Sequence, residues 1–152
     1  MQRILFVCTG NTCRSPMAEA ILKHKNLEGI EVKSAGIYAA GGSEASPNAK
    51  LVLDKNQISH NHRSTLLSEK EVDWADLILT MTSSHKYAIQ QQYPRAIEKV
   101  YTLKEFIGED MDQDVVDPYG GSLAIYEQTF QELQQLIDKA IEKLKPNTGE
   151  LS

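Results

Sequence analysis

Four apolar residues, Ile4 to Val7, run without interruption into Cys8, a pattern that suits a strand covered on both faces of a sheet. Helical spacing begins at Ser15-Pro16, with Met17, Ala20, Ile21 and Leu27 on one side and Pro16 in the first turn, where its missing N–H does no harm. The alternation then repeats. A strand is expected over Ile30–Ala35, a helix opened by Ser46-Pro47 carries Leu51, Val52 and Lys55, and a second buried strand covers Leu77–Met81. A helix from Ser83 to about Tyr93, a short strand at Val100-Tyr101 and a long helix from Ser122 to Leu144 complete the set. In that last helix Ile125, Phe130, Leu133, Ile137, Ile141 and Leu144 recur at near-helical intervals and mark a core face. Strands alternating with helices predict an α/β fold: a single-domain three-layer sandwich, with a four-stranded parallel sheet and helices on both faces.

Ligands on such sheets bind beyond the carboxyl ends of the strands, which is where Cys8 falls. Two segments without periodicity, Gly36–Ser46 and the acidic Gly108–Gly121 with its Asp117-Pro118, are loops of the kind that frame a site. A chain of 152 residues with 41% hydrophobic content buries one good core, so residues 1–152 are expected to form one domain, with 146–152 a flexible tail.

Charge narrows the partners. A net charge of −5 leaves no excess of Lys and Arg to displace counterions, so nucleic acid is not expected as a partner. No secretion signal and no apolar run near the roughly 20 residues of a membrane helix is visible, which points to a cytoplasmic protein without a membrane partner. The two cysteines, Cys8 and Cys13, are too few for a structural zinc site, and His24, His60, His62 and His85 show no ligand-like spacing with them. Neither metal nor cofactor is expected.

The chemistry gathers in VCTGNTCRSP, residues Val7 to Pro16. Cys8 and Arg14 between a buried strand and a helix start bring together unpaired helix N–H groups, the N–H groups of a tight loop and a guanidinium. That cradle fits a tetrahedral oxyanion, with Arg14 offering a planar fork, and it favours thiolate, so Cys8 is expected to ionise well below the ~8.5 of a free thiol. Ser15 can donate to the sulfur, Asn11 can hold the loop through its amide, and Gly10 gives the backbone freedom for a tight nest. Thr9, Gly10, Asn11, Thr12, Cys13 and Ser15 are thus the candidate substrate-binding residues around the nucleophile Cys8. The implied reaction is attack of Cys8 on phosphorus, giving a phosphocysteine that water opens. The plainer reading is a buried strand-end thiol beside a surface charge. Cys13 is either a small apolar loop residue or a resolving thiol that pairs reversibly with Cys8 and answers to a redox partner. Asp117, held extended by Pro118 beside Gly120 and Gly121, is either an ordinary turn residue or a general acid that later activates water.

FVCTGNTCRSPMAEA followed about a hundred residues later by DPYGGS resembles the low-molecular-weight protein tyrosine phosphatase family over nearly the whole chain. The resemblance implies Cys8 as nucleophile, Arg14 as phosphate clamp, Asp117 as general acid, Ser15 and Asn11 as loop supports, and His62 as a brace of the phosphate loop. Its tyrosine phosphatases commonly carry an aliphatic residue at the position of Thr12 and a tryptophan in the loop matching Gly36–Ser46. Here that loop is GIYAAGGSEAS and Trp74 falls in a predicted helix, so the chain is more similar to the bacterial protein arginine phosphatases. A hydroxyl at the pocket wall suits the polar guanidino group of phosphoarginine, Asp117 can meet its N–H groups, and Tyr119 offers a ring to stack on. Phosphorylated proteins are the implied partners. A tyrosine phosphatase of the same family is the nearest alternative, an arsenate reductase lacks its downstream thiols, and a silent phosphate-binding adaptor is the reading from another class.

Overall fold

The computed structural model describes residues 2–109 and 113–144. In it β1 (Gln2–Cys8) lies between β2 (Ile30–Gly36) and β3 (Leu77–Thr80), and β4 (Val100–Thr102) pairs with the far side of β3. All three pairings are parallel, in the order β2-β1-β3-β4. Being central, β1 buries both faces: Ile4, Phe6 and Cys8 point into one core, Leu5 and Val7 into the other.

The helices are α1 (Arg14–His24), α2 (Pro47–Lys55), α3 (Glu69–Trp74), α4 (Ser83–Gln92), α5 (Leu103–Phe106) and α6 (Leu123–Leu144). Met17 and Ile21 of α1, Val52 and Leu53 of α2, Leu103 of α5 and Phe130 and Leu133 of α6 cover the Phe6 face. Val72 of α3, Ile89 of α4 and Ala96 of a short 3-10 segment, Pro94–Lys99, cover the Leu5 face. The expected three-layer α/β sandwich is therefore the fold, and each large side chain closed off in it contributes about 1.5–3 kcal/mol.

Two apolar residues of the helical patterns lie outside the core, and for Ile125 this corrects the face expected of the last helix. Leu51 is 52% exposed, and α2 packs through Ala49, Val52 and Leu53. Ile125 is exposed, because the buried stripe of α6 runs Tyr126, Thr129, Phe130, Leu133, Leu136, Ile137, Ala140, Ile141, one position off the phase that Ile125 would need. The hydropathy pattern also left α3 and α5 undelineated. Both are too short for a period, and both carry a start signal in their capping boxes, Ser68 with Glu71 and Thr102 with Glu105. The tail expected over 146–152 lies outside the described residues.

Candidate active site

The connections from β1 to α1 and from β3 to α4 leave the carboxyl edge of the sheet on opposite faces, opening a crevice at the end of β1. Cys8 ends β1 there and is only 2% exposed. Residues 9–13 curl around its sulfur before α1 begins. Ser15 Oγ lies 2.8 Å from Cys8 Sγ, and the Asn11 N–H donates to the same sulfur at 3.3 Å.

Asn11, fully buried, is the keystone of the curl. Its φ of 58° is left-handed, a conformation asparagine tolerates better than most residues, whereas Gly10 has no positive φ; the expectation that Gly10 supplies the loop's special freedom is corrected accordingly. The strain is held by hydrogen bonds on every side. Asn11 Nδ2 donates to Ser15 Oγ (2.8 Å) and Ser34 Oγ (2.9 Å), and Oδ1 accepts from the Thr65 N–H (2.8 Å). The Asn11 carbonyl accepts from His62 Nε2 at 2.6 Å. Behind them Glu19 accepts from Ser34 Oγ at 2.5 Å and sits 3.6 Å from His62 Nδ1. Burial pushes the Glu19 carboxyl up, but hydrogen bonds from His62, Lys23 and Ser34 outweigh it and leave the group below its ordinary range.

Gly36 earns its place by proximity. A Cβ there would stand 2.6 Å from the Thr9 carbonyl oxygen and 2.8 Å from the Asn11 nitrogen, so only glycine lets the end of β2 lie against the loop. The segment beyond is tied to the same loop, through the N–H groups of Ile37 to Cys8 O (3.0 Å), Tyr38 to Thr9 O (2.9 Å) and Ser46 to Thr12 O (2.8 Å).

Arg14, 4% exposed, donates from Nη1 to the Val115 carbonyl at 2.9 Å, holds Nη2 3.6 Å from Asp117 Oδ2, and keeps Nε buried with no partner among the described residues. The Asp117 segment is anchored by Val115 N–H to Met81 O (2.8 Å), by Ser83 N–H to Asp114 Oδ1 (2.8 Å) and by Lys104 Nζ to the Asp114 carbonyl (2.9 Å). Asp117 Oδ1 accepts the Tyr119 N–H at 3.0 Å, and Tyr119 itself is 77% exposed at the rim. The resulting pocket, about 240 Å³, is lined by Cys8, Thr9, Gly10, Thr12, Cys13, Arg14, Asp117 and Tyr119. Two larger clefts, of about 480 and 580 Å³, lie behind the loop around His60 and His62 and contain no cysteine.

The Cys8 thiol is subject to opposing influences. Burial pushes it up, while the Ser15 hydroxyl, the Ser15 N–H, the Arg14 charge and the Asn11 N–H pull it down; burial is the largest, and the thiol stands above its ordinary value. The expectation of a strongly acidic thiol counted the anion-stabilising groups and missed the cost of closing the sulfur away from water.

The model of the family described as low molecular weight phosphotyrosine protein phosphatase matches residues 3–149. The chain belongs to this family. A protein-arginine-phosphatase of Geobacillus stearothermophilus is 52% identical over 94% of this chain and 96% of its own length. The solved structure of the YwlE arginine phosphatase from the same organism superimposes with a TM-score of 0.95 at 51% identity, covering 99% of this chain and 97% of that one. A YwlE arginine phosphatase mutant with a phosphorylated active site serine gives a TM-score of 0.89 at 44% identity, with 95% and 96% covered.

Within this phosphatase, the expected site residues meet around one pocket, with Asn11, Ser15 and His62 in the wall behind it. Cys13 is buried, and its Sγ lies 3.3 Å from Tyr126 Oη and 3.5 Å from Ser46 Oγ. Burial above all, and then the hydrogen bond with Cys13, push the Tyr126 hydroxyl up to about 12. Glu19, Ser34, Thr65 and Tyr126 were given no role in the sequence, Gly36 and Ser46 were met only as the ends of a loop expected to frame the site, and His85 only as a histidine without ligand-like spacing. Ser34 offered a signal, as a polar residue inside a strand, and so did His85 just after a buried one.

Proposed function

We propose that this phosphatase dephosphorylates phosphoarginine in proteins through a phosphocysteine on Cys8. The observation that carries the chemistry is the convergence, on one sulfur at the end of β1, of the Ser15 hydroxyl and the Asn11 N–H, beside the buried Arg14 Nε that no group among the described residues engages. A phosphoryl oxygen supplies the acceptor that Nε lacks, with Nη2 able to bond a second oxygen. Cys8 gives its proton to an oxygen of the phosphoryl dianion, its sulfur bonds to phosphorus, and the P–N bond breaks as Asp117 gives a proton to the departing guanidino nitrogen. The Asp117 carboxylate then takes a proton from water, whose oxygen attacks phosphorus, releasing inorganic phosphate and restoring the Cys8 sulfur. Ser15 and Asn11 stabilise that sulfur as attacking and as leaving anion, offsetting the burial that opposes it.

The choice of phosphoarginine over phosphotyrosine rests on Thr12, a half-buried hydroxyl in the pocket wall, and is supported by the arginine phosphatases among the relatives. On one peptide scaffold the native protein is expected to hydrolyse phosphoarginine with the higher kcat/KM. Thr12→Ile should shift the ratio of the two kcat/KM values toward phosphotyrosine by about 10- to 200-fold, the range of a 1–3 kcal/mol change in a pocket contact. An unaltered ratio removes Thr12 as the selector.

No helix among the described residues is long and apolar enough to cross a membrane. Both cysteines are free thiols, which suits the reducing cytoplasm. Peroxide is expected to convert Cys8 to a sulfenic acid that Cys13 condenses with, losing water and forming a reversible disulfide for a reducing partner to open. Peptide mass spectrometry after mild peroxide treatment should find the Cys8–Cys13 linkage; Cys8 sulfinic acid without it goes against a resolving role for Cys13.

A further inference from the structure

His85 is 7% exposed in the first turn of α4, and the chemistry above leaves it without a task. Its main-chain N–H donates to the N-cap Thr82 Oγ1 at 3.1 Å. Its ring does something else. Nε2 lies 2.8 Å from Thr9 Oγ1, and Nδ1 is buried with no partner among the described residues. The charged groups facing the ring are Arg14, Asp114 and Asp117; burial first and then Arg14 hold it down at about 4 against the two carboxylates, so it is neutral at physiological pH.

A neutral imidazole carries one proton, and the surroundings choose which nitrogen holds it. On Nδ1 it would be a buried donor with no acceptor, the rarer and costlier kind of orphan; on Nε2 it is donated to Thr9 Oγ1 and leaves only an unused lone pair. Thr9 Oγ1 then accepts from His85, and its own hydrogen must turn away from the ring. Thr9 lines the same pocket as Cys8 and Arg14.

We propose that His85 is a positioning residue: its Nε2–H, donated to Thr9 Oγ1, aims the Thr9 hydroxyl into the pocket as a donor to the oxyanion held over Cys8. This deepens the phosphatase reading and rests on it. It also explains a polar pair, threonine and histidine, in a crevice that apolar side chains could have closed.

The test is a double-mutant cycle on an aryl phosphate. His85→Phe and Thr9→Val should each lower kcat about tenfold with KM nearly unchanged, as loss of a donor felt in the transition state requires, and the double variant should be no worse than either. His85→Gln, whose amide N–H can reach the hydroxyl, should recover most of the loss. Independent, multiplying losses in the cycle overturn the proposal. In the native protein, the ¹⁵N spectrum of the His85 ring should show the Nε2–H tautomer with no titration between about pH 5.5 and 8; an Nδ1–H tautomer overturns the proposal whether or not the variants fold. Turnover surviving in Cys8→Ser would instead strike the phosphatase reading itself, so the two failures are told apart.

Discussion

Cys8→Ser is expected to lower turnover of phosphoarginine and aryl phosphates by at least about 10⁴-fold, the scale on which a nucleophile's removal is felt, while phosphorylated protein remains bound. The hydroxyl is a far weaker acid than the thiol, and the groups that stabilise a sulfur anion, Ser15 Oγ at 2.8 Å and the Asn11 N–H at 3.3 Å, cannot supply the difference. Binding survives because Arg14 and the loop N–H groups remain in place. The variant should therefore retain its targets from lysate, and mass spectrometry of the retained proteins reads out which residue type carries the phosphoryl group. A residual rate within tenfold of the native one would falsify the assignment of Cys8 as nucleophile; turnover absent from the native protein as well would leave an adaptor.

Arg14→Lys conserves charge and destroys geometry. A guanidinium here serves three directions at once: Nη1 on the Val115 carbonyl, Nη2 near Asp117, and Nε, which has no partner among the described residues. An ammonium is a point charge that cannot hold the acid segment and fork an oxyanion together. The expected loss in kcat/KM is about 10²–10³-fold, as for removal of a preorganised donor in other sites. Stability should fall by about 1–3 kcal/mol, because the Val115 carbonyl is left buried without its donor. Steady-state kinetics with thermal melting checks both. Activity within about fivefold of native would mean that charge alone suffices.

What the sequence disclosed follows from how local each signal is. The apolar run into Cys8, the proline starts of α1 and α2 and the stripe of α6 depend on neighbours a few positions apart, and they placed the strands and most helices to within a residue or two. The Cys8-to-Ser15 stretch was legible for the same reason: nucleophile, clamp and support lie in one short segment. The remainder of the site depends on contacts between distant positions. Asn11 reaches Ser34, His62 and Thr65, Thr9 reaches His85, and Cys13 reaches Tyr126, none of which composition or period can reveal. Burial was the hardest quantity to read. It reversed the direction expected for the Cys8 thiol and set Leu51 and Ile125 outside the core, while the backbone put the left-handed turn on Asn11 instead of Gly10.

A sulfur that ends a central strand and shows only 2% of its surface, at the bottom of a 240 Å³ well, also imposes a ruler. A phosphoryl group reaches that sulfur only on a side chain that carries it past the rim where Tyr119 stands, so the longer arginine and tyrosine side chains are expected to enter more readily than a short hydroxyl one, and a client stretch that can bulge outward to deliver them more easily than one locked in a sheet interior.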